Sequence, residues 1–197
     1  MDAELVMSRT DEDLHWALEW PHKVTVYAKG KRVDGPAHWN TVHLDNIGRE
    51  AHSYLFHILN RWDSLPEVTV FLLPRDDPCK INVLKDLACK ADYETRTAQI
   101  TMVKDWDDGG RLIHDPFPAD MKRAEFPFVH WFDRLFELDV NEMPGVRCCT
   151  GAMAVPRWRI RARCRRVYEY LMDTIPPHPY PEEVHYLQRA WLYLWGM

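Results

Sequence analysis

Apolar residues along the chain follow two periods, and these divide it into strands and helices. Glu4–Ser8 (ELVMS) is a short strand candidate, and Lys23–Lys29 (KVTVYAK) alternates β-branched with polar residues and runs into Gly30. Between them the pattern predicts a helix from Thr10 or Asp11 to Trp20, with Glu12 and Asp13 in its first turn. Asn46 reads as the cap of the next helix. Behind it Ile47, Ala51, Tyr54, Leu55, Ile58, Leu59 and Trp62 recur at helical spacing. Leu65-Pro66 ends that helix, and Val68–Leu73 (VTVFLL) is apolar on both faces, as a buried strand is.

In the second half, Ile81–Ala91 is helical, Ala98–Val103 is a strand candidate and Asp105–Pro118 is a polar loop rich in glycine and proline. Pro127 suits the first turn of a helix running to about Leu138. Gly151–Val155 (GAMAV) is a short strand, and Pro156 opens a helix whose buried stripe is Ile160, Cys164, Val167, Tyr168 and Leu171. A proline-rich break at Ile175–Pro181 precedes a last helix, Glu182–Trp195. Strand–helix alternation through the first half predicts an α/β fold with a mostly parallel central sheet and flanking helices. Ligands of such sheets sit beyond the carboxyl ends of the strands, which here carry Thr10–Asp13, Lys29-Gly30 and Arg75–Asp77.

Composition narrows the class. A chain of 197 residues fits one domain, 1–197, and 46% apolar residues with nine Trp, eight Tyr and seven Phe supply a core that excludes disorder. A net charge of −5 gives no global reason to expect nucleic acid. No stretch approaches the ~20 uncharged apolar residues of a membrane span, and Met1–Thr10 lacks the apolar run of a secretory signal. Five cysteines at irregular spacing fit neither a disulfide framework nor a zinc knuckle, so reduced thiols and a cytoplasmic location are expected.

The run Asn46-Ile47-Gly48-Arg49-Glu50-Ala51-His52-Ser53-Tyr54-Leu55, followed by Leu65-Pro66 and Val68–Leu73, resembles the family catalogued as domain of unknown function 3431. Val24–Gly30, Gly151–Ile160 and His185–Trp191 match it in the same order. Two departures stand out. The family's Gln-Gly-Asp-Pro-like turn is replaced by Leu73-Pro74-Arg75-Asp76-Asp77-Pro78, and its Glu-Arg-Leu-Trp by Gln188-Arg189-Ala190-Trp191, so a helical acid is missing at Gln188. By pattern the family is similar to sugar-nucleotide glycosyltransferases of the GT-A (Rossmann-like) fold. A further association is with fungal arginine-containing cyclodipeptide synthases, which join two aminoacyl-tRNAs.

The glycosyltransferase resemblance implies a transferase with a nucleotide-activated donor. In it Asp76 and Asp77, behind a buried strand, would hold Mn²⁺ or Mg²⁺ against the leaving diphosphate; an ordinary Asp-Asp-Pro turn is the alternative. Asn46 and Gly48 open a helix whose positive end suits an anion, Arg49 offers phosphate a planar fork, and Lys29 stands at a strand end. Glu50, Ser53 and His57 share a stripe away from the apolar face, so Glu50 and His57 are acid–base candidates; a solvated helix face explains them equally. Asp11 would meet base or ribose, or simply cap a helix.

Arg157, Arg159, Arg161, Arg163, Arg165 and Arg166 form the densest charge run, a candidate for phosphate or tRNA, or a solvated basic face. His185 and Arg189, one turn apart on the last helix, could close over a diphosphate or stand exposed. Two further readings stay open: an aminoacyl-tRNA-dependent former of peptide bonds, and a non-catalytic binding module.

Overall fold

The computed structural model describes residues 2–30, 35–72, 81–91, 96–97, 100–114, 116–149 and 152–196. The β-branched runs form the expected strands: β1 (Ala3–Arg9), β2 (Lys23–Ala28) and β4 (Val68–Leu72), joined by β3 (Asn40–His43), β5 (Arg96–Thr97) and β8 (Met153–Pro156). Their order in the sheet is β3-β2-β1-β4-β8-β5. The first four strands are parallel, and β8 runs antiparallel to both β4 and β5. A separate antiparallel pair joins β6 (Ile100–Val103) to β7 (Val146–Cys149). This is an α/β fold with a mostly parallel, Rossmann-like central sheet. The chain leaves β1 toward β2 on one side and β4 on the other, which makes the carboxyl edge at β1 a topological switch point.

Alternation of side chains assigns each strand residue to a face. Val6, Tyr27, Phe71, Met153 and Val155 meet the helices α1 (Arg49–Asn60), α3 (Phe128–Phe136), α5 (Arg165–Asp173) and α6 (Glu183–Leu194). Leu5, Met7, Val24, Val26, Val70 and Leu72 face the opposite way, onto Leu14, Ala17, Trp20 and α2 (Ile81–Lys90). On the helical side Trp191 stacks on Trp195 at 4.9 Å, and Trp195 on Phe71 at 5.5 Å, which ties α6 to the centre of the sheet.

Four expectations from the sequence change. The helix expected from Thr10 to Trp20 is one short 3-10 stretch, His15–Glu19. Here side chains take the amides that would have started a helix: Thr10 and Asp11 N–H donate to Glu12 Oε2, and His15 N–H to Asp13 Oδ1. The strand expected at Ala98–Val103 is β6, described from Ile100, and it pairs with β7 outside the central sheet, which β5 just before it joins. The helix from Pro156 is two helices, α4 (Arg157–Arg161) and α5, because Cys164 is extended (φ −68°, ψ 152°) between them. Cys164 is consequently exposed and leaves the predicted buried stripe.

The fourth change concerns α1, whose polar stripe is not solvated. The helix is packed between β1 and the pair α5 and α6, so Glu50, Ser53 and His57 are all buried. Ser53 Oγ donates to Ser8 Oγ at 3.0 Å, and His57 Nδ1 shares a hydrogen bond with the Tyr27 hydroxyl at 3.0 Å. Among the described residues no helix is long and apolar enough to cross a membrane.

Candidate functional site

The carboxyl ends of β1 and β2 are held close together. Lys29 N–H donates to Arg9 O at 2.8 Å, and a Cβ on Gly30 would lie 2.3 Å from Thr10 O, so only glycine lets the two chain segments approach this closely. A cleft of about 430 Å³ opens above this point. Ser8, Thr10 and Glu12 line it from β1 and its following turn, Lys29 from β2, and Asn46, Arg49 and Glu50 from the entry to α1. Asp120, Pro179 and Tyr180 close it from two loops.

The entry to α1 is unusual. Gly48 (φ 59°) and Arg49 (φ 45°) are both left-handed, and no side chain caps the helix. Asn46 therefore lines the cleft but is not the N-cap; Gly48 is. The turn is secured by Gly48 N–H donating to His178 O and by Lys29 Nζ, which donates to Ile47 O and Arg49 O. A Cβ on Gly48 would approach Ile175 Cγ2 to 2.6 Å in a conformation that disfavours side chains. Gly48→Ala is expected to cost about 1–3 kcal/mol in urea unfolding; an unchanged midpoint would show that the turn carries no such strain.

Lys29 is only 7% exposed. Burial pushes its ammonium down to about 7, against the pull of nearby Glu50. Two of its donors meet the carbonyls of Ile47 and Arg49, which leaves one for a ligand. Arg49 lies 4.6 Å above the Tyr180 ring, and its Nε is 3.6 Å from Glu50 Oε2. Glu50 Oε1 accepts from Gln188 Nε2 at 3.2 Å. A glutamate at 188 would set carboxylate against carboxylate; the amide donates instead.

The remaining candidates separate into near and far. His185 supports the wall of the cleft: its Nε2 shares a hydrogen bond with Tyr180 Oη at 2.9 Å, and its Nδ1 meets Gln188 Oε1 at 3.2 Å. Burial first, then His114 and Arg189, push its imidazole down to about 4. Arg189 is buried rather than exposed; it pairs with Asp105 and donates to His185 O. His57 has no exposed surface, and burial pushes it down to about 4; it belongs to the core, away from the cleft. Asp11 is exposed and does not line the cleft, where Glu12 stands instead.

The arginine run is distributed over the fold rather than gathered at the cleft. Arg157 donates to Leu65 O, Arg161 to Trp62 O, and Arg163 to Tyr193 O and Leu194 O, so these guanidiniums bind carbonyls in the turn after α1 and at the end of α6. Arg165 pairs with Glu169, and Arg159 stacks on Trp158. Asp76 and Asp77 lie outside the described residues. Among the described residues no group of three or more His, Cys, Asp or Glu is placed to hold a metal ion.

Ser8 and Thr10 follow from the rule that ligands meet strand ends at a switch point. Asp120, Pro179 and Tyr180 carry no periodic signal, since they sit in irregular segments brought in by the tertiary fold.

The family model described as "Protein of unknown function (DUF3431)" matches residues 5–197. No curated protein matches the chain. A solved structure of CMP:2-keto-3-deoxy-manno-octonic acid synthetase complexed with CTP is similar at 11% identity and a TM-score of 0.40, covering 98% of this chain and 86% of that one.

Proposed function

We propose that this chain, which belongs to the DUF3431 family of proteins of unknown function, holds the phosphates of a nucleotide-activated donor in the β1–β2 cleft and transfers the activated group to an acceptor. The observation that carries the reading is the convergence of Lys29, Arg49 and the start of α1 on one cleft at the carboxyl edge of a parallel sheet. Lys29 supplies a point charge with a donor to spare, and Arg49, braced on Tyr180, supplies a planar fork. The carboxylates of Glu50 and Asp120 in the same cleft suit hydroxyl groups of a sugar or other polyol.

Glu50 is the acid–base group in this account. An acceptor hydroxyl attacks the activated carbon, the bond from that carbon to the phosphate oxygen breaks, and the nucleotide leaves with the electron pair against Lys29 and Arg49. The proton of the acceptor passes to Glu50, whose carboxylate is oriented by Gln188 and Arg49. A divalent cation on Asp76 and Asp77 would add charge neutralisation at the leaving diphosphate, and no step above depends on it.

Calorimetric titration with inorganic diphosphate, and release of nucleoside diphosphate from a panel of nucleotide sugars with and without Mn²⁺, test the proposal. Diphosphate should bind, and Arg49→Ala should weaken it about tenfold, as loss of a charge-assisted hydrogen bond does. Glu50→Gln should keep diphosphate binding and lower turnover by ~10²-fold or more. Failure of diphosphate and of every nucleotide to bind would contradict the proposal.

A further inference from the structure

Five residues at the cleft close a ring of contacts. Arg49 lies 4.6 Å above the Tyr180 ring, and Tyr180 Oη is 2.9 Å from His185 Nε2. His185 Nδ1 is 3.2 Å from Gln188 Oε1, and Gln188 Nε2 is 3.2 Å from Glu50 Oε1. Glu50 Oε2 returns to Arg49 Nε at 3.6 Å. Arg49, Glu50 and Tyr180 line the cleft, whereas His185 and Gln188, on α6, do not.

The hydrogen bonds of this ring have one consistent direction. An ionised carboxylate accepts and never donates, so Gln188 turns its amide nitrogen to Glu50 and its oxygen to His185. The opposite orientation would set a carbonyl oxygen against the carboxylate. Gln188 Oε1 needs a donor, which places the His185 proton on Nδ1. Burial first, and His114 and Arg189 after it, push this imidazole down to about 4, so at neutral pH it holds one proton and Nε2 is bare. The Tyr180 hydroxyl therefore donates to Nε2. Every donor points onward toward Glu50, an arrangement in which successive hydrogen bonds strengthen one another. The backbone fixes the middle of the chain: His185 N–H donates to Glu182 O at 2.9 Å, and His185 O accepts from Arg189 Nη1 at 2.7 Å.

We propose that Tyr180, His185 and Gln188 are a positioning relay that holds the Glu50 carboxylate in the orientation from which it takes the proton of an acceptor hydroxyl. This role rests on the transferase reading of the cleft. His185 and Gln188 act through Glu50 and need no contact with a ligand. Without the proton on Nδ1, Gln188 is free to turn its oxygen to Glu50, and the carboxylate loses one of the two groups that aim it. Tyr180 joins the two ends of the site: its ring carries Arg49 and its hydroxyl starts the relay, so the phosphate anchor and the acid–base group share one support.

Long-range proton–nitrogen correlation spectra of the His185 imidazole, in the full chain at neutral pH without ligand, test the direction of the relay. Nδ1 should resonate as a protonated nitrogen and Nε2 as a bare one; a proton on Nε2 overturns the relay. Release of nucleoside diphosphate from nucleotide sugars tests its role. His185→Phe should lower turnover at saturating donor about tenfold, while inorganic diphosphate binds within about twofold of wild type. His185→Asn, whose amide donates from the place of Nδ1, should recover most of the loss. If His185→Phe fails to fold, Gln188→Leu, at a half-buried position, carries the same prediction. Unchanged turnover, an equal fall in turnover and diphosphate affinity, or no recovery in His185→Asn overturns the positioning role and leaves the transferase reading standing. A wild type that binds no diphosphate and releases no nucleotide overturns that reading, and this role with it.

Discussion

Lys29→Met is expected to abolish measurable diphosphate binding, a loss of at least ~10²-fold, while the protein stays folded. The ammonium sits at the floor of the cleft and no other described cation there is buried, so its charge is screened least by water. Methionine keeps the length of the stem and removes the donor from Ile47 O and Arg49 O, which costs stability. Removing a buried charge offsets part of that cost, and near pH 7 the two proteins should differ by less than about 2 kcal/mol.

The same substitution should change how stability depends on pH. The Lys29 ammonium titrates at about 7 in the fold and at 10.5 by its ordinary value. Between these limits the unfolded chain holds the proton and the folded chain has released it, so native stability rises with pH across that window. Below pH 7 both states are protonated and the full penalty of the buried charge is present. Urea midpoints of wild type minus variant should therefore climb from pH 7 upward. A flat difference would mean that Lys29 is hydrated in the fold.

Glu182→Ala is expected to lose about 3 kcal/mol, more than any other polar substitution described above. Glu182 has no exposed surface, and its carboxylate accepts from Arg123 Nη1 at 3.0 Å and from Ala124 N–H at 2.8 Å, with His114 Nε2 also at 3.0 Å. It is the clasp between α6 and the loop that carries Asp120 to the cleft. Arg123 is half-exposed and keeps water as an alternative partner, so Arg123→Met should cost less than about 1 kcal/mol. Urea unfolding of both variants checks the ordering; equal losses would place the stabilisation in the salt bridge rather than in the buried acceptor.

What the sequence revealed and what it hid have physical causes. Continuous β-branched runs such as Val68–Leu72 and a helix as long as Glu183–Leu194 outweigh tertiary context, and both appear where periodicity placed them. Strand β3 escaped because a four-residue, half-exposed edge strand needs no apolar run. The cleft was half legible. Lys29, Asn46, Gly48, Arg49 and Glu50 follow from strand ends and a helix start, with the family resemblance pointing to the last four.

The misreading of His57 has a different origin. A polar stripe on a helix is solvated only if nothing packs on it, and the one on α1 lies against the hydroxyls of Ser8 and Tyr27 on the sheet. Gln188 shows the reverse: a departure from the family pattern that gains meaning only beside Glu50, a residue far away in sequence.

The central claim is that a buried lysine at the β1–β2 edge meets the phosphates of a ligand. Diphosphate binding heats measured slightly above pH 7, in two buffers of different ionisation enthalpy, address it directly. An anion beside Lys29 restores its charge, so binding should take up roughly half a proton in wild type and the heats should differ between buffers. Identical heats in both buffers, with affinity undiminished in Lys29→Met, would place the phosphate elsewhere and contradict the account.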